Sequence, residues 1–366
     1  MRPVGTLAKN PRPLSRPIIK ILVALIIGFG LVFTISDIHK IARVTQKIQP
    51  FFLFSALVAT VLSYLFIGLA LKKLLELVDV TLSFKEMFAI SWVSTALNYL
   101  VSTGGIGGLT MRILLLRKKR IPFTETFLAS FVHTLLLNGV LIGFVMFGFA
   151  YLLTTKGLRL YHHVTSGAVL ALTLTLSVLA TGSLINKAFR DRFIDFFYTW
   201  INRISVKLTK RTVFEKASLF EFKEEFHQGI SLILAQKRDM VLPTIYVFLD
   251  WFCCLFALYW SFVAIGHSIS PGILLVGFAI GLFVSLFSLI PGAIGIMEGS
   301  MAAIYYSLGV PLEVAIVAVL IYRIVYYLFP FVTSTLLYGP MFKEAKALKV
   351  SGVLKPPVNT PEPPAP

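Results

Sequence analysis

Charge is scarce in this chain, and negative charge is scarcest. Only 14% of its 366 residues are Asp, Glu, Lys or Arg, with 17 acidic against 34 basic. A soluble domain carries about 25% charge, so there is too little polar surface here to cover a water-facing globule. Cysteine is nearly missing. Cys253 and Cys254 are adjacent in an apolar run, which excludes a disulfide framework or zinc spacing and reads as two small buried hydrophobes. The six histidines are scattered, and His162-His163 has no carboxylate nearby. There is no Gly-x-Ser-x-Gly and no His-Glu-x-x-His, so hydrolase and metalloprotease chemistry has no foothold. Gly105-x-Gly107 lacks the third glycine of a dinucleotide fingerprint, and no Gly-Lys-Ser/Thr follows it. No cofactor and no enzymatic activity are expected.

What the chain has is apolar length. Apolar residues make up 57% of it, and Phe alone occurs 32 times. Runs at 18–36, 51–73, 124–153, 164–185, 241–266 and 312–338 each have the length and polarity of a helix crossing a hydrocarbon core of about 30 Å. The net charge of +17 would raise nucleic acid in a soluble protein. Here the basic residues fall between apolar runs, which points to the cytoplasmic membrane surface and to no nucleic-acid partner.

Two further apolar stretches end in backbone breakers. Phe84–Val101 runs into Ser102-Thr103-Gly104-Gly105-Ile106-Gly107-Gly108, and Ile273–Ile290 runs into Pro291-Gly292-Ala293-Ile294-Gly295. Charge decides their threading. If Phe84–Val101 crossed fully, Arg112, Arg117, Lys118, Lys119 and Arg120 would lie outside, against the positive-inside rule. If it dips in and returns, they lie inside. The second stretch then dips from the outer face, where no Lys or Arg occurs between Asp239 and Tyr322. In this threading 28 of the 34 basic residues lie inside, with Lys40, Arg43, Lys47, Lys156 and Arg159 outside and Arg323 within a span. The expected fold is all-α: a polytopic membrane protein of about six spanning helices plus two re-entrant helical hairpins, with both termini cytoplasmic. A plain eight-span threading is the alternative.

The hairpins look alike. Gly104-Gly105-Ile106-Gly107 matches Gly292-Ala293-Ile294-Gly295, and Ile121-Pro122-Phe123 matches Val310-Pro311-Leu312 at nearly the same offset. Opposite entry faces make this an inverted-topology repeat, the symmetry that transporters use to build a site from broken helices near the midplane. A basic segment (1–17) precedes the transmembrane domain (18–340). Residues 186–240 leave the bilayer as a cytoplasmic insertion. Phe193, Phe196, Phe197 and Trp200 recur there at helical spacing, as in an amphipathic helix lying on the inner leaflet or packed on the rest of the protein. Residues 341–366 form a Pro-rich tail.

An ionisable group at membrane depth costs roughly 2.5–3.5 kcal/mol on insertion scales, so each needs a reason. Glu298 opens the second helix of the later hairpin, where the positive helix end favours a carboxylate. Arg323 lies in the last span between Tyr322 and Tyr326. Glu298 and Arg323 are expected to pair, either structurally or at a binding site. Asp250, in the fifth clear run, is a candidate coupling residue. Free N–H groups at the broken tips suit a phosphate: Gly104, Gly105, Gly107 and Gly108 let a head group approach the backbone, and the turn at Pro291, Gly292 and Gly295 is a candidate part of the same head-group site. Close glycine packing explains them as readily. Arg112 either holds a phosphate or snorkels. Asn98 and His133 are explained by interhelical hydrogen bonds.

Pro291-Gly292-Ala293-Ile294-Gly295-Ile296-Met297-Glu298, followed by Tyr322-Arg323 and Tyr326 to Pro330, resembles the signature of the lysylphosphatidylglycerol synthase transmembrane-region family. The Ser102–Gly108 run with Arg112 is similar too, and the resemblance covers about residues 18–338. It implies a flippase-like module that translocates a phospholipid or polyprenyl-lipid head group, with membrane lipids as partners and lipid-biosynthesis enzymes nearby. The chain ends soon after the last span, so the aminoacyltransferase part of two-part family members is not expected. The head group would enter a polar space between the hairpins and meet Glu298, Arg323 and Arg112. A membrane transferase or an accessory scaffold is the competing reading.

Overall fold

The computed structural model describes residues 38–101, 106–154, 186–209, 216–236, 238–286, 288 and 291–337, with scattered positions between 164 and 182. The expected span 18–36, the tip residues 102–105, most of 164–185 and the tail 341–366 lie outside the described residues. Among those described, the regular structure is helical throughout, as the composition requires. The helices are α1 (Ile38–Thr45), α2 (Pro50–Glu76), α3 (Phe84–Val101), α4 (Ile106–Lys118), α5 (Phe123–Thr154), α6 (Lys187–Thr209), α7 (Lys216–Ala235), α8 (Val241–Ala264), α9 (Pro271–Leu286), α10 (Ile296–Ser307) and α11 (Leu312–Leu337).

Length separates them into classes. Only α2, α5, α8 and α11 are long and apolar enough to cross a bilayer. With 13, 16 and 12 residues, α4, α9 and α10 rise about 20, 24 and 18 Å at 1.5 Å per residue, short of a hydrocarbon core of about 30 Å.

The scaffold is the antiparallel pair α2 and α8. The N–H of Gln49, just before α2, donates to the Ala264 carbonyl at the end of α8 at 2.7 Å. Farther along, the Phe66 and Tyr246 rings stack at 6.2 Å. The Ala264 end of the bundle also holds Lys40–Glu313 at 3.6 Å, joining α1 to the start of α11. Tyr151, near the end of α5, bonds Ser270 there at 3.1 Å. At the opposite end, Leu71, Leu74 and Leu75 of α2 pack with Met87, Leu115, Leu116 and Leu128.

The short helices form two hairpins with bases at opposite ends of this bundle. The base of α3–α4 is closed by Lys119 Nζ on Glu86 Oε1 at 2.5 Å. The α9–α10 base lies beside Ser270, and the Tyr305 hydroxyl donates to the Leu274 carbonyl at 3.0 Å. Gly277 and Gly281 face Tyr305 and Met301 with no room for a Cβ, so these two helices are in backbone-close contact. Helix α3 touches the Pro291–Ala293 turn between α9 and α10, so the hairpins meet inside the bundle.

The insertion is two helices. Phe222 and Phe226 of α7 pack on Phe123, Phe127 and Phe131 of α5, with the Phe127–Phe226 rings at 5.6 Å. Helix α6 keeps Phe193, Phe196, Phe197 and Trp200 exposed, as a helix bordering a bilayer would. His227 ties the two together, accepting from Arg190 at 2.7 Å and bonding Asp191 at 2.9 Å.

Opposite hairpin bases carry a topological consequence. In a Cys253→Ala/Cys254→Ala background, single cysteines at Arg120 and at Gly309 are expected to react with impermeant maleimide from opposite faces of sealed vesicles. Labelling from the same face would contradict the arrangement.

Candidate functional site

The middle turns of α2, α8 and α11 meet where the Pro291–Ala293 turn arrives. Ser63 and Tyr64 lie halfway along α2, Asp250 lies inside α8, and Tyr322 to Tyr327 lie inside α11. Tyr64, Tyr322 and Tyr326 are fully or almost fully buried.

The turn is built to end one helix and start another. Gly292, Ala293 and Gly295 all have positive φ, at 68°, 49° and 82°. Glycine accepts that region at little cost, whereas a buried alanine there holds strain of about 1–3 kcal/mol. Gly295 caps α10 and Glu298 is its third helical residue, reaching back so that its Oε2 accepts the Gly295 N–H at 2.7 Å. This is the carboxylate half of a capping box, at the helix end that favours negative charge.

The other carboxylate oxygen takes Arg323. Arg323 Nε donates to Glu298 Oε1 at 2.5 Å, and both residues are 8% exposed. Nη2 donates to the Gly292 carbonyl, Nη1 approaches Met297 Sδ at 3.7 Å, and the guanidinium stands 4.1 Å over the Tyr327 ring. The expected pairing is therefore present. Arg323 holds both strands of the turn, and its charge is met on every side.

Local backbone in α11 sets these directions. Ile324–Leu328 form a π-turn, with the Phe329 N–H bonded to the Ile324 carbonyl. Such turns cluster at functional sites. Pro330 has no N–H for the Tyr326 carbonyl four residues before it, and the Tyr64 hydroxyl donates to that carbonyl at 3.3 Å. Tyr322 stacks on Tyr326 at 5.3 Å, Tyr326 adjoins Tyr327 at 5.6 Å, and Tyr99 of α3 lies 4.9 Å from Tyr327. Asp250 sits beside this stack. Ser63 Oγ donates to its Oδ1 and is 2.7 Å from the Tyr326 hydroxyl. Asp250 is buried and, among the described residues, joins no ion pair. Cys254 Sγ lies 3.2 Å from the Tyr322 hydroxyl.

Of the residues singled out from sequence, Asp250, Gly292, Gly295, Glu298, Tyr322, Arg323 and Tyr326 come together here, and Pro291 opens the turn. Gly104 and Gly105 lie outside the described residues. Gly107 is half-buried in the first turn of α4, and Arg112 is buried farther along it, not at the interface. Several backbone groups at the two breaks are engaged within the protein. Gly295 N–H is taken by Glu298, Gly292 offers its carbonyl to Arg323, and Gly108 N–H is held by Asn98 Oδ1 at 3.2 Å. A hydrocarbon surrounding forces this, since a broken helix there must find internal partners. Ser63, Tyr64, Tyr99 and Tyr327 were not singled out. A Ser-Tyr pair at the centre of an otherwise apolar span was the available signal for the first two.

The family model described as the lysylphosphatidylglycerol synthase TM region matches residues 18–334. A UPF0104 membrane protein of Methanothermobacter thermautotrophicus is 22% identical over 322 residues, covering 87% of this chain and 88% of that protein. A UPF0104 membrane protein of Pyrococcus horikoshii is 23% identical over 343 residues, covering 89% of this chain and 98% of that one.

The buried pair sets an energetic expectation. Removing one partner leaves an uncompensated buried charge, at about 3–5 kcal/mol. Glu298→Gln and Arg323→Met should each lower the thermal unfolding temperature in detergent. The double variant should lose clearly less than the sum of the two. Additive losses would show that the two side chains are not coupled.

Proposed function

The chain belongs to the lysylphosphatidylglycerol synthase transmembrane-region family, and on that premise we propose that it is a lipid translocase of the cell membrane. It moves a charged lipid head group between leaflets while the acyl or prenyl tails stay in the bilayer. The observation that carries this reading is the buried Glu298–Arg323 pair, fixed where a hairpin tip meets the middle of α11. Both signs of charge are thus held at half-depth, where a head group meets its highest barrier.

In this reading the hairpins are re-entrant and form an inverted repeat. The α3–α4 base, with Arg117, Lys118, Lys119 and Arg120 beside it, faces the cytoplasm. The α9–α10 base, at the end that carries Lys40, Arg43 and Lys47, faces outward. The tyrosines of α2, α3 and α11 close the space between the hairpins. Passage of a head group requires them to part. Glu298 and Arg323 then exchange some of their mutual contacts for contacts with the head group's own charges, so the pair is never left uncompensated. No nucleotide motif is present, so transport runs downhill or on an ion gradient. Asp250, buried with Ser63 as its neutral partner, is the residue placed to take up and release a cation or proton in the second case.

Reconstituted vesicles carrying a fluorescent phospholipid test the reading. The wild-type chain should increase the fraction of label exposed to an impermeant quencher, and the Glu298→Gln/Arg323→Ala double variant should fall to the protein-free rate. Equal exposure by both would remove the pair from the mechanism.

A further inference from the structure

Arg323 is not the only buried arginine. Arg112 of α4 is 9% exposed and donates through Nη1 to Ser130 Oγ of α5 at 2.9 Å. Its Nε is buried with no hydrogen-bond partner. Among the described residues no carboxylate pairs with it. Glu125, the carboxylate of α5, lies more than one helical turn from Ser130 towards the base of that helix. His133 lies one turn beyond Ser130 on the same face of α5. It is also buried, and its Nε2 also has no partner. Arg323, by contrast, is met by a carboxylate, a carbonyl, a thioether and a ring. A guanidinium buried without a counter-ion is strongly unfavourable, as is each unpaired polar nitrogen beside it. The two unpartnered nitrogens belong to neighbouring helices joined by the Arg112–Ser130 bond, with Ser130 and His133 one turn apart on the same helix.

Resting on the translocase reading, we propose that Arg112, Ser130 and His133 form an anion subsite for the phosphate of a lipid head group. The Nε and Nη edge of a guanidinium matches two phosphate oxygens in a bidentate fork. A neutral His133 carrying its proton on Nε2 donates to a third oxygen, and the Ser130 hydroxyl completes the set. A phosphate offers these donors separate oxygens in a tetrahedral array, where a planar carboxylate would have to share its two. Arg112 thus fixes the phosphate near the first hairpin, while Glu298 and Arg323 serve the charges on the rest of the head group.

Equilibrium binding to the full-length protein in neutral detergent tests this with three probes: dioctanoyl phosphatidic acid, dioctanoylglycerol and inorganic phosphate. Dioctanoyl phosphatidic acid should bind saturably and dioctanoylglycerol should not. Arg112→Gln should weaken phosphatidic acid binding by about tenfold or more, the loss of a charge-assisted hydrogen-bond pair. His133→Glu is the second variant. It supplies the missing counter-ion from within, so the unfolding temperature should hold or rise while phosphatidic acid binding is lost. Phosphatidic acid binding unchanged in either folded variant, or equal binding of dioctanoylglycerol, would overturn the subsite. Inorganic phosphate binding as tightly as phosphatidic acid, with the same dependence on Arg112, would overturn its assignment to a lipid. These measurements read no transport. Their failure leaves the translocase reading standing, and a failed vesicle assay with phosphate binding intact sinks that reading alone.

Discussion

Hydrocarbon offers no hydrogen bonds, so every backbone polar group at membrane depth must be satisfied by the protein. The centre of this molecule follows from that constraint. Ending α9 and starting α10 inside the bundle exposes carbonyls and N–H groups that a continuous helix would hide. Arg323 takes the Gly292 carbonyl, Glu298 takes the Gly295 N–H, and the two side chains neutralise each other. One ion pair thereby answers both the broken backbone and its own charges. The same logic places Tyr64 on the Tyr326 carbonyl above Pro330, and Asn98 on the Gly108 N–H.

Arg323, Asp250 and Arg112, three of the buried ionisable groups, differ in how completely they are answered. Arg323 has partners for each nitrogen and a ring beneath it. Asp250 has a serine hydroxyl and no cation. Arg112 has one serine, an orphan nitrogen and an orphan histidine beside it. Structural need explains the first fully and the other two only in part. Groups that a fold leaves incompletely satisfied in a low-dielectric interior are those with capacity for a ligand or an ion.

Much of this was legible in the chain. Apolar run lengths gave the four spans among the described residues, since a crossing helix needs a minimum number of residues. Breakers after Val101 and before Gly295 gave the interruptions between α3 and α4 and between α9 and α10. The Glu298–Arg323 pair was legible because two opposite charges in apolar surroundings have few other solutions. The rest depends on tertiary geometry that no local pattern encodes. Tyr99 and Tyr327 look like ordinary aromatics until the π-turn of α11 sets Tyr326 and Tyr327 against Tyr64 of α2 and Tyr99 of α3. The engagement of Gly292, Gly295 and Gly108 by side chains depends on neighbours far along the chain. Phe193 to Leu208 gave their helical spacing, but nothing in the sequence marked Phe222 and Phe226 for packing, which the phenylalanines of α5 decide.

The central claim is that the α9–α10 tip sits at the middle of the bilayer, bound to α11 through Glu298 and Arg323. Gly299, one residue past Glu298, has open space where a side chain would begin, so a nitroxide fits there without disturbing the pair. The direct measurement is the depth of that label in proteoliposomes, from its relative accessibility to oxygen and to a water-soluble nickel chelate. The account requires high oxygen and low nickel accessibility, placing the label near the bilayer centre. A label at head-group depth, with nickel accessibility matching that of one at Gly309, would contradict it.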